Sequence, residues 1–137
     1  MSPCSKLMTH NSKPSHVPIS MTGIEWLIEA FGCADTRLRD QAQLLELFEK
    51  IIGRMELRTI GKPVWHAFPE SGGVTGVWLL QESHLAIHTF PEYRSACINI
   101  FCCVPRTPLD WQSLLFTALG ATDVSVRECR RAYQRLS

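Results

Sequence analysis

The sequence predicts an α+β fold, a two-layer α/β sandwich in which a largely antiparallel sheet carries helices on one face. Three observations lead there. The 137 residues are 45% apolar and 20% charged, enough for one packed core and against disorder over the whole length. Alternating and helical apolar periodicities follow one another as strand, helix, several strands, helix, strand. Glycine or proline separates several of the strand-like segments.

Residues 1–20 are rich in Ser, Pro, His and Lys, show little periodicity and read as a flexible N-terminal extension, leaving 21–137 as the domain. Gly23–Phe31 suits a first strand with Glu25 and Glu29 on one face. The chain then turns around Gly32-Cys33-Ala34-Asp35. A helix fits Asp40–Ile52, where Leu44, Leu45, Leu47, Phe48, Ile51 and Ile52 form an apolar stripe. Asp40 is placed to cap it, and Gly53 suits the position just past its end. Met55–Ile60, Val74–Gln81, Leu85–Thr89 and Ala96–Cys102 read as strands. Thr107 as cap, Pro108 at the first helical position and Gly120 at the end bracket a second helix. Asp123–Glu128 alternates as a last strand. The second sheet face is left without a cover, and an uncovered apolar face on a small domain favours pairing of two copies, face to face, into a four-layer αββα homodimer.

The formal charge of +1 makes nucleic acid a poor partner, since phosphate-gripping proteins carry a clustered basic surplus. No apolar run approaches the roughly 18–20 residues that span a bilayer, and residues 1–20 lack the apolar stretch of a secretory signal. The expectation is a soluble, cytoplasmic chain without a membrane partner. Its six cysteines then read as free thiols. Adjacent Cys102 and Cys103 would face opposite ways on a strand, which makes them poor co-ligands for a metal.

The densest run of reactive side chains is 73–92. Its core, Glu82-Ser83-His84-Leu85-Ala86-Ile87-His88-Thr89-Phe90-Pro91-Glu92, resembles the processing-site motif of the prokaryotic S-adenosylmethionine decarboxylase proenzymes, which are pyruvoyl-dependent and self-processing. The resemblance continues upstream through Gly73-Val74-Thr75-Gly76 and downstream to Cys103, and covers roughly Gly23 to Arg131.

The residues themselves favour the same chemistry. Decarboxylation of an amino acid needs an electron sink, which most enzymes draw from pyridoxal phosphate on a lysine. The four lysines, Lys6, Lys13, Lys50 and Lys62, all lie outside the reactive run, and no glycine-rich phosphate cradle accompanies them. No PLP is therefore expected, and no metal. The resemblance implies the other solution: Ser83 attacks the Glu82 carbonyl, the peptide bond becomes an ester, and elimination and hydrolysis leave a pyruvoyl group derived from Ser83. The products are residues 1–82 and 83–137. By the same resemblance His88 is the processing base, a role that an imidazole fills at neutral pH. Thr75 supplies a processing hydroxyl where the family usually has serine, Cys103 is the proton donor to the α-carbon, and Glu92, Phe68 and Phe90 bind substrate. The substrate amine would form a Schiff base with the pyruvoyl group, and the product would be decarboxylated S-adenosylmethionine, the aminopropyl donor for spermidine synthesis.

Several positions depart from the family pattern. Glu25 stands where histidine is common, Glu29 and Asn99 where aspartate is, Arg94 where glycine is, and Phe90 where tryptophan is frequent. The stretch Phe68–Gly73 is one residue longer than usual. These touch the pocket and leave the processing set intact, so two alternatives stay open. One is the same chemistry on arginine or ornithine, with Glu25 pairing the substrate's cation. The other is an unprocessed homologue that binds a ligand or partner. A Cys/His metal module is a third class. His84 and His88 have helical metal-pair spacing, but the apolar residues between them and Pro91 favour a strand. Trp26, Trp65, Trp78 and Trp111 read as core, Cys33, Cys97 and Cys102 as small buried residues, and Arg127, Arg130, Arg131 and Arg135 as a solvated basic end. His66 either borders the pocket near Phe68 or is an ordinary satisfied histidine.

Overall fold

The computed structural model describes residues 4–5, 22–104 and 106–135. These form seven strands and three α-helices: β1 (Cys4–Ser5), β2 (Thr22–Phe31), α1 (Asp35–Leu38), α2 (Gln41–Arg54), β3 (Val64–Ala67), β4 (Val74–Leu80), β5 (Ser83–Phe90), β6 (Ser95–Cys102), α3 (Trp111–Leu119) and β7 (Asp123–Ala132). The strands make one antiparallel sheet in the order β1-β7-β2-β6-β5-β4-β3. The expected α+β architecture is present.

Alternation along the strands decides what lies under the helices. Trp26, Ile28, Leu85, Ile87, Ile98 and Ile100 share one face with Ser83 and Cys102, and pack against Leu44, Leu47, Phe48 and Ile51 of α2 and Leu114 and Leu115 of α3. Each such side chain contributes about 1.5–3 kcal/mol on leaving water. Thr89 is buried in this layer and is saturated: its hydroxyl accepts from the Val74 N–H at 2.8 Å and donates to the Leu38 carbonyl at 2.7 Å. That ties β4 and β5 to α1.

Asp40 caps α2 as expected, accepting from the N–H groups of Ala42 and Gln43, and Gly120 closes α3 in the left-handed conformation, φ 73°. Other boundaries differ. The α2 ladder runs through Gly53, because Met55 N–H still bonds Ile51 O, and the left-handed residue is Glu56, φ 55°. Helix α3 starts at Trp111 rather than after Thr107-Pro108, because the Asp110 carboxylate accepts the Ser113 N–H. Met55–Ile60 is irregular, with a single bridge between Thr59 and Leu80. Beyond β4 the sheet ends on β3, whose mostly exposed residues show no alternation to betray it. Trp65 of β3 stacks on Phe48 at 5.1 Å, and Gly76 opposite leaves room for its ring, which a Cβ there would strike. Trp26 and Trp111 are buried and Trp65 and Trp78 partly so.

Residues 1–3 and 6–20 of the expected extension lie outside the described residues, while Cys4–Ser5 pairs with β7. Cys129 is disulfide-bonded, against the expectation of free thiols throughout. Strand pairing sets the Cys4 position directly across from Cys129, a proximity that spacing along the chain cannot reveal. Cys33, Cys97, Cys102 and Cys103 are free. Cys97 is exposed rather than buried, because its strand face carries no helix. Among the described residues no helix is long and apolar enough to cross a membrane.

Candidate active site

Ser83 is the first residue of β5, just past the Gln81-Glu82 turn, paired with Leu80 on one side and Cys102 on the other. The carbonyl oxygen of Glu82 accepts the backbone N–H of Cys103 at 3.0 Å. The Ser83 hydroxyl hydrogen-bonds the Cys102 thiol. Burial pushes that thiol up to about 11, against the opposing pull of the Arg106 guanidinium and the Ser83 bond, so it is neutral at pH 7. Strand β6 ends at Cys102, so Cys103 lies just beyond the strand. Both line a cavity of about 510 Å³ together with Glu82, Ser83, Arg58 and Arg106. Arg106 Nη2 lies 4.0 Å from a carboxylate oxygen of Glu82.

A second cluster sits on the opposite, helix-free face. Thr75 Oγ1 and His88 Nδ1 are 3.1 Å apart, and the same row continues through Cys97 to Glu29. Phe90 lies farther along β5 and is exposed; Glu92 follows in the 3-10 turn Pro91–Tyr93. Phe68 opens the 68–73 turn, where its N–H bonds Gly73 O and its carbonyl accepts the Gly72 N–H. Its ring meets His66 edge-on at 4.8 Å. The chain therefore brings Ser83, Glu82 and Cys103 together at one place and Thr75 and His88 at another. Ser83 and His88 are five strand positions apart, about 16 Å of rise, and the odd spacing turns the two side chains to opposite faces. His84 and His88 are four strand residues apart, about 13 Å, too far to share one ion. Among the described residues no His, Cys, Asp and Glu group is arranged to hold a metal.

The helix-free face is less apolar than expected. Leu27, Val77, Leu79 and Phe101 are interleaved there with a polar network. Asn99 donates to Glu25 at 2.7 Å and its Oδ1 meets His84 Nε2 at 2.8 Å. Arg131 donates to Glu25 at 2.6 Å, and Arg127 to Glu29 at 2.7 Å. Burial raises the Glu25 carboxyl, but the Asn99 and Arg131 hydrogen bonds and the Arg131 charge outweigh it and hold it below its ordinary value. Arg127 and Arg131 are thus partners of this face and not merely a solvated basic end. Arg94 occupies the left-handed region, φ 52°, which accounts for glycine being common there, and its Nε donates to the Cys33 carbonyl at 2.9 Å. Sequence reasoning missed Arg106 and the Asn99–Arg131 network. The closeness of Arg106 to Cys103 in the chain was the one available signal.

The domain is an antiparallel sheet with helices on one face and the Glu82–Ser83 bond at a hairpin corner, and comparison with known proteins gives its family. The family model described as S-adenosylmethionine decarboxylase matches residues 24–132; the chain belongs to that family. It is 35% identical over 112 residues to the S-adenosylmethionine decarboxylase proenzyme of Prochlorococcus marinus (strain MIT 9313), covering 81% of this chain and 88% of the relative. It is 32% identical over 109 residues to the proenzyme of Clostridium tetani (strain Massachusetts / E88), covering 77% and 82%. The Pseudomonas paraeruginosa (strain DSM 24068 / PA7) proenzyme is 41% identical over 86 residues, 63% of this chain and 52% of the relative. The chain spans about half the length of these Pseudomonas relatives.

Proposed function

We propose that this chain is a proenzyme that cuts itself between Glu82 and Ser83 and then decarboxylates S-adenosylmethionine. The observation that carries the reading is the hydrogen bond from Cys103 N–H to Glu82 O at 3.0 Å. It polarises the very carbonyl that Ser83 must attack and is aimed at the oxygen that becomes negative, as an oxyanion donor should be. Attack by Ser83 Oγ forms the new C–O bond and breaks the C–N bond, giving an ester and a free Ser83 amine. A base then takes the Ser83 α-proton, the Cβ–Oγ bond breaks, and Oγ leaves as part of the Glu82 carboxylate. Hydration of the resulting enamine, through its imine, releases ammonia and leaves the pyruvoyl group.

The surroundings of Ser83 fit such a group: Cys102 and Cys103 line a cavity with it, and among the described residues no lysine amine lines that cavity to compete for a carbonyl. When formed, the group supplies the electron sink for loss of carbon dioxide. Cys103 then returns a proton to the substrate α-carbon, a task suited to a thiol beside Ser83. Glu92 receives the substrate's ribose hydroxyls, with Phe68 and Phe90 as its apolar contacts; all three lie at the His88 end of the sheet and come from the copy that supplies His88.

His88 is the processing base, oriented by Thr75, but it does not reach Ser83 of its own chain. A second copy supplies it, its helix-free face reaching the cavity at the open end of β5 where Ser83 is half-buried, so that each site combines Ser83 and Cys103 of one chain with Thr75 and His88 of the other. The assembly is a four-layer homodimer. Glu25 is already bound by Asn99 and Arg131, which speaks against its capturing the cation of arginine or ornithine. The test is release of labelled carbon dioxide from S-adenosylmethionine, ornithine and arginine. Release from S-adenosylmethionine alone is expected; release only from another amino acid, or from none, overturns the assignment.

A further inference from the structure

We propose that Arg106 is the electrophile that draws off the leaving group in self-processing: its guanidinium receives the new α-carboxylate of Glu82 as the ester breaks. The inference rests on the self-cleavage reading above and adds a residue to it. Cleavage at Glu82-Ser83 creates a charge problem at one spot. Elimination moves an electron pair from the Cβ–Oγ bond onto Oγ, which becomes an oxygen of the Glu82 carboxylate. Glu82 then carries two negative charges, side chain and terminus, on the wall of a cavity. A cation placed beforehand beside that residue lowers the barrier to elimination and holds the product end of the chain.

Arg106 meets the requirement. Its Nη2 is 4.0 Å from the Glu82 side-chain carboxylate, a loose ion pair, and it lines the same cavity as Ser83 and Cys103. Its Nε is buried and has no hydrogen-bond partner among the described residues. An orphaned buried donor is costly, and here the acceptor that satisfies it is one that exists only after the cut. The guanidinium fork is suited to taking a carboxylate with two parallel bonds. Nothing else in the proposed mechanism uses this side chain.

The test separates the steps of processing. Purified wild type, Arg106→Gln and Arg106→Lys are followed over time by intact mass, with and without hydroxylamine, which cuts the ester at Glu82-Ser83 and spares the amide. Arg106→Gln is expected to form ester at the wild-type rate and to eliminate about a hundredfold more slowly, so a hydroxylamine-sensitive full-length chain accumulates. Arg106→Lys, which keeps the charge, recovers much of the loss. Processing of Arg106→Gln at the wild-type rate overturns the inference, as does arrest of both variants as hydroxylamine-resistant amide. If wild type itself is never cut, the self-cleavage reading fails first, and that result is distinct from the other two.

Discussion

The backbone N–H of Cys103 donates to the carbonyl oxygen of Glu82 across 3.0 Å, joining the residue proposed to end each catalytic turnover to the bond proposed to be cut before the first. The two tasks use different atoms of Cys103. Its amide serves processing and its thiol serves decarboxylation. Cys103→Ala keeps the amide, so the variant is expected to cleave within about threefold of the wild-type rate while carbon dioxide release falls by about a hundredfold. Intact mass and labelled carbon dioxide, measured on one preparation, check both halves. An uncut Cys103→Ala chain would assign the processing role to the thiol instead.

The separation of Ser83 from His88 along β5 makes a prediction about mixed dimers. Ser83→Ala and His88→Ala are each expected to remain uncut alone. Co-expressed, they form dimers in which the Ser83 of one chain meets the His88 of the other. Only the His88→Ala chains should then be cleaved, which mass spectrometry distinguishes directly. A mixture that stays wholly uncut would place both residues of a working site in one chain.

Thr89 is the buried tie between the sheet and α1. Thr89→Val keeps the shape but strands the Val74 N–H and the Leu38 carbonyl, both bound at under 3 Å by the hydroxyl. A loss of about 1–3 kcal/mol is expected. Urea unfolding of an uncleavable Ser83→Ala background measures it without interference from processing. No change in midpoint would mean that water replaces the hydroxyl at no cost.

Glu25 ties folding to acid. Its carboxyl is held below the ordinary value in the fold by Asn99 and Arg131 in spite of burial. A carboxyl depressed in the folded state adds stability that is complete above its unfolded pKa, about 4.3, and that drains away as pH falls through the lower folded value. Glu25→Gln is therefore expected to lose stability less steeply than the parent as pH falls below about 4.3, the unfolded value. Parallel acid titrations by circular dichroism test this; identical slopes would remove Glu25 from the linkage.

How far these relationships were legible in the sequence depends on their range. The Asp40 cap and the closing Gly120 follow from short signals next to apolar runs, and both hold. Thr75 and His88 fall on neighbouring strand segments of the sequence, and the β4–β5 register puts them opposite one another. Local signals mislead where two compete: Asp110 outranks Thr107-Pro108 because its carboxylate reaches a free N–H, and Gly53 is tolerated inside α2 because the hydrogen-bond ladder continues past it. The link from Arg131 to Glu25 joins residues 106 positions apart, and the position opposite Cys129 comes from the far end of the chain. Only sheet register reveals such pairs, and β3 was hidden because an exposed edge strand needs no apolar alternation.

The most direct measurement is the intact mass of the purified chain beside its Ser83→Ala variant. Two fragments, residues 1–82 and 83–137, with the second lacking a free amine at its start, are expected for the wild type and a single full-length chain for the variant. A wild-type chain that stays whole, or is cut at any other bond, would contradict the account.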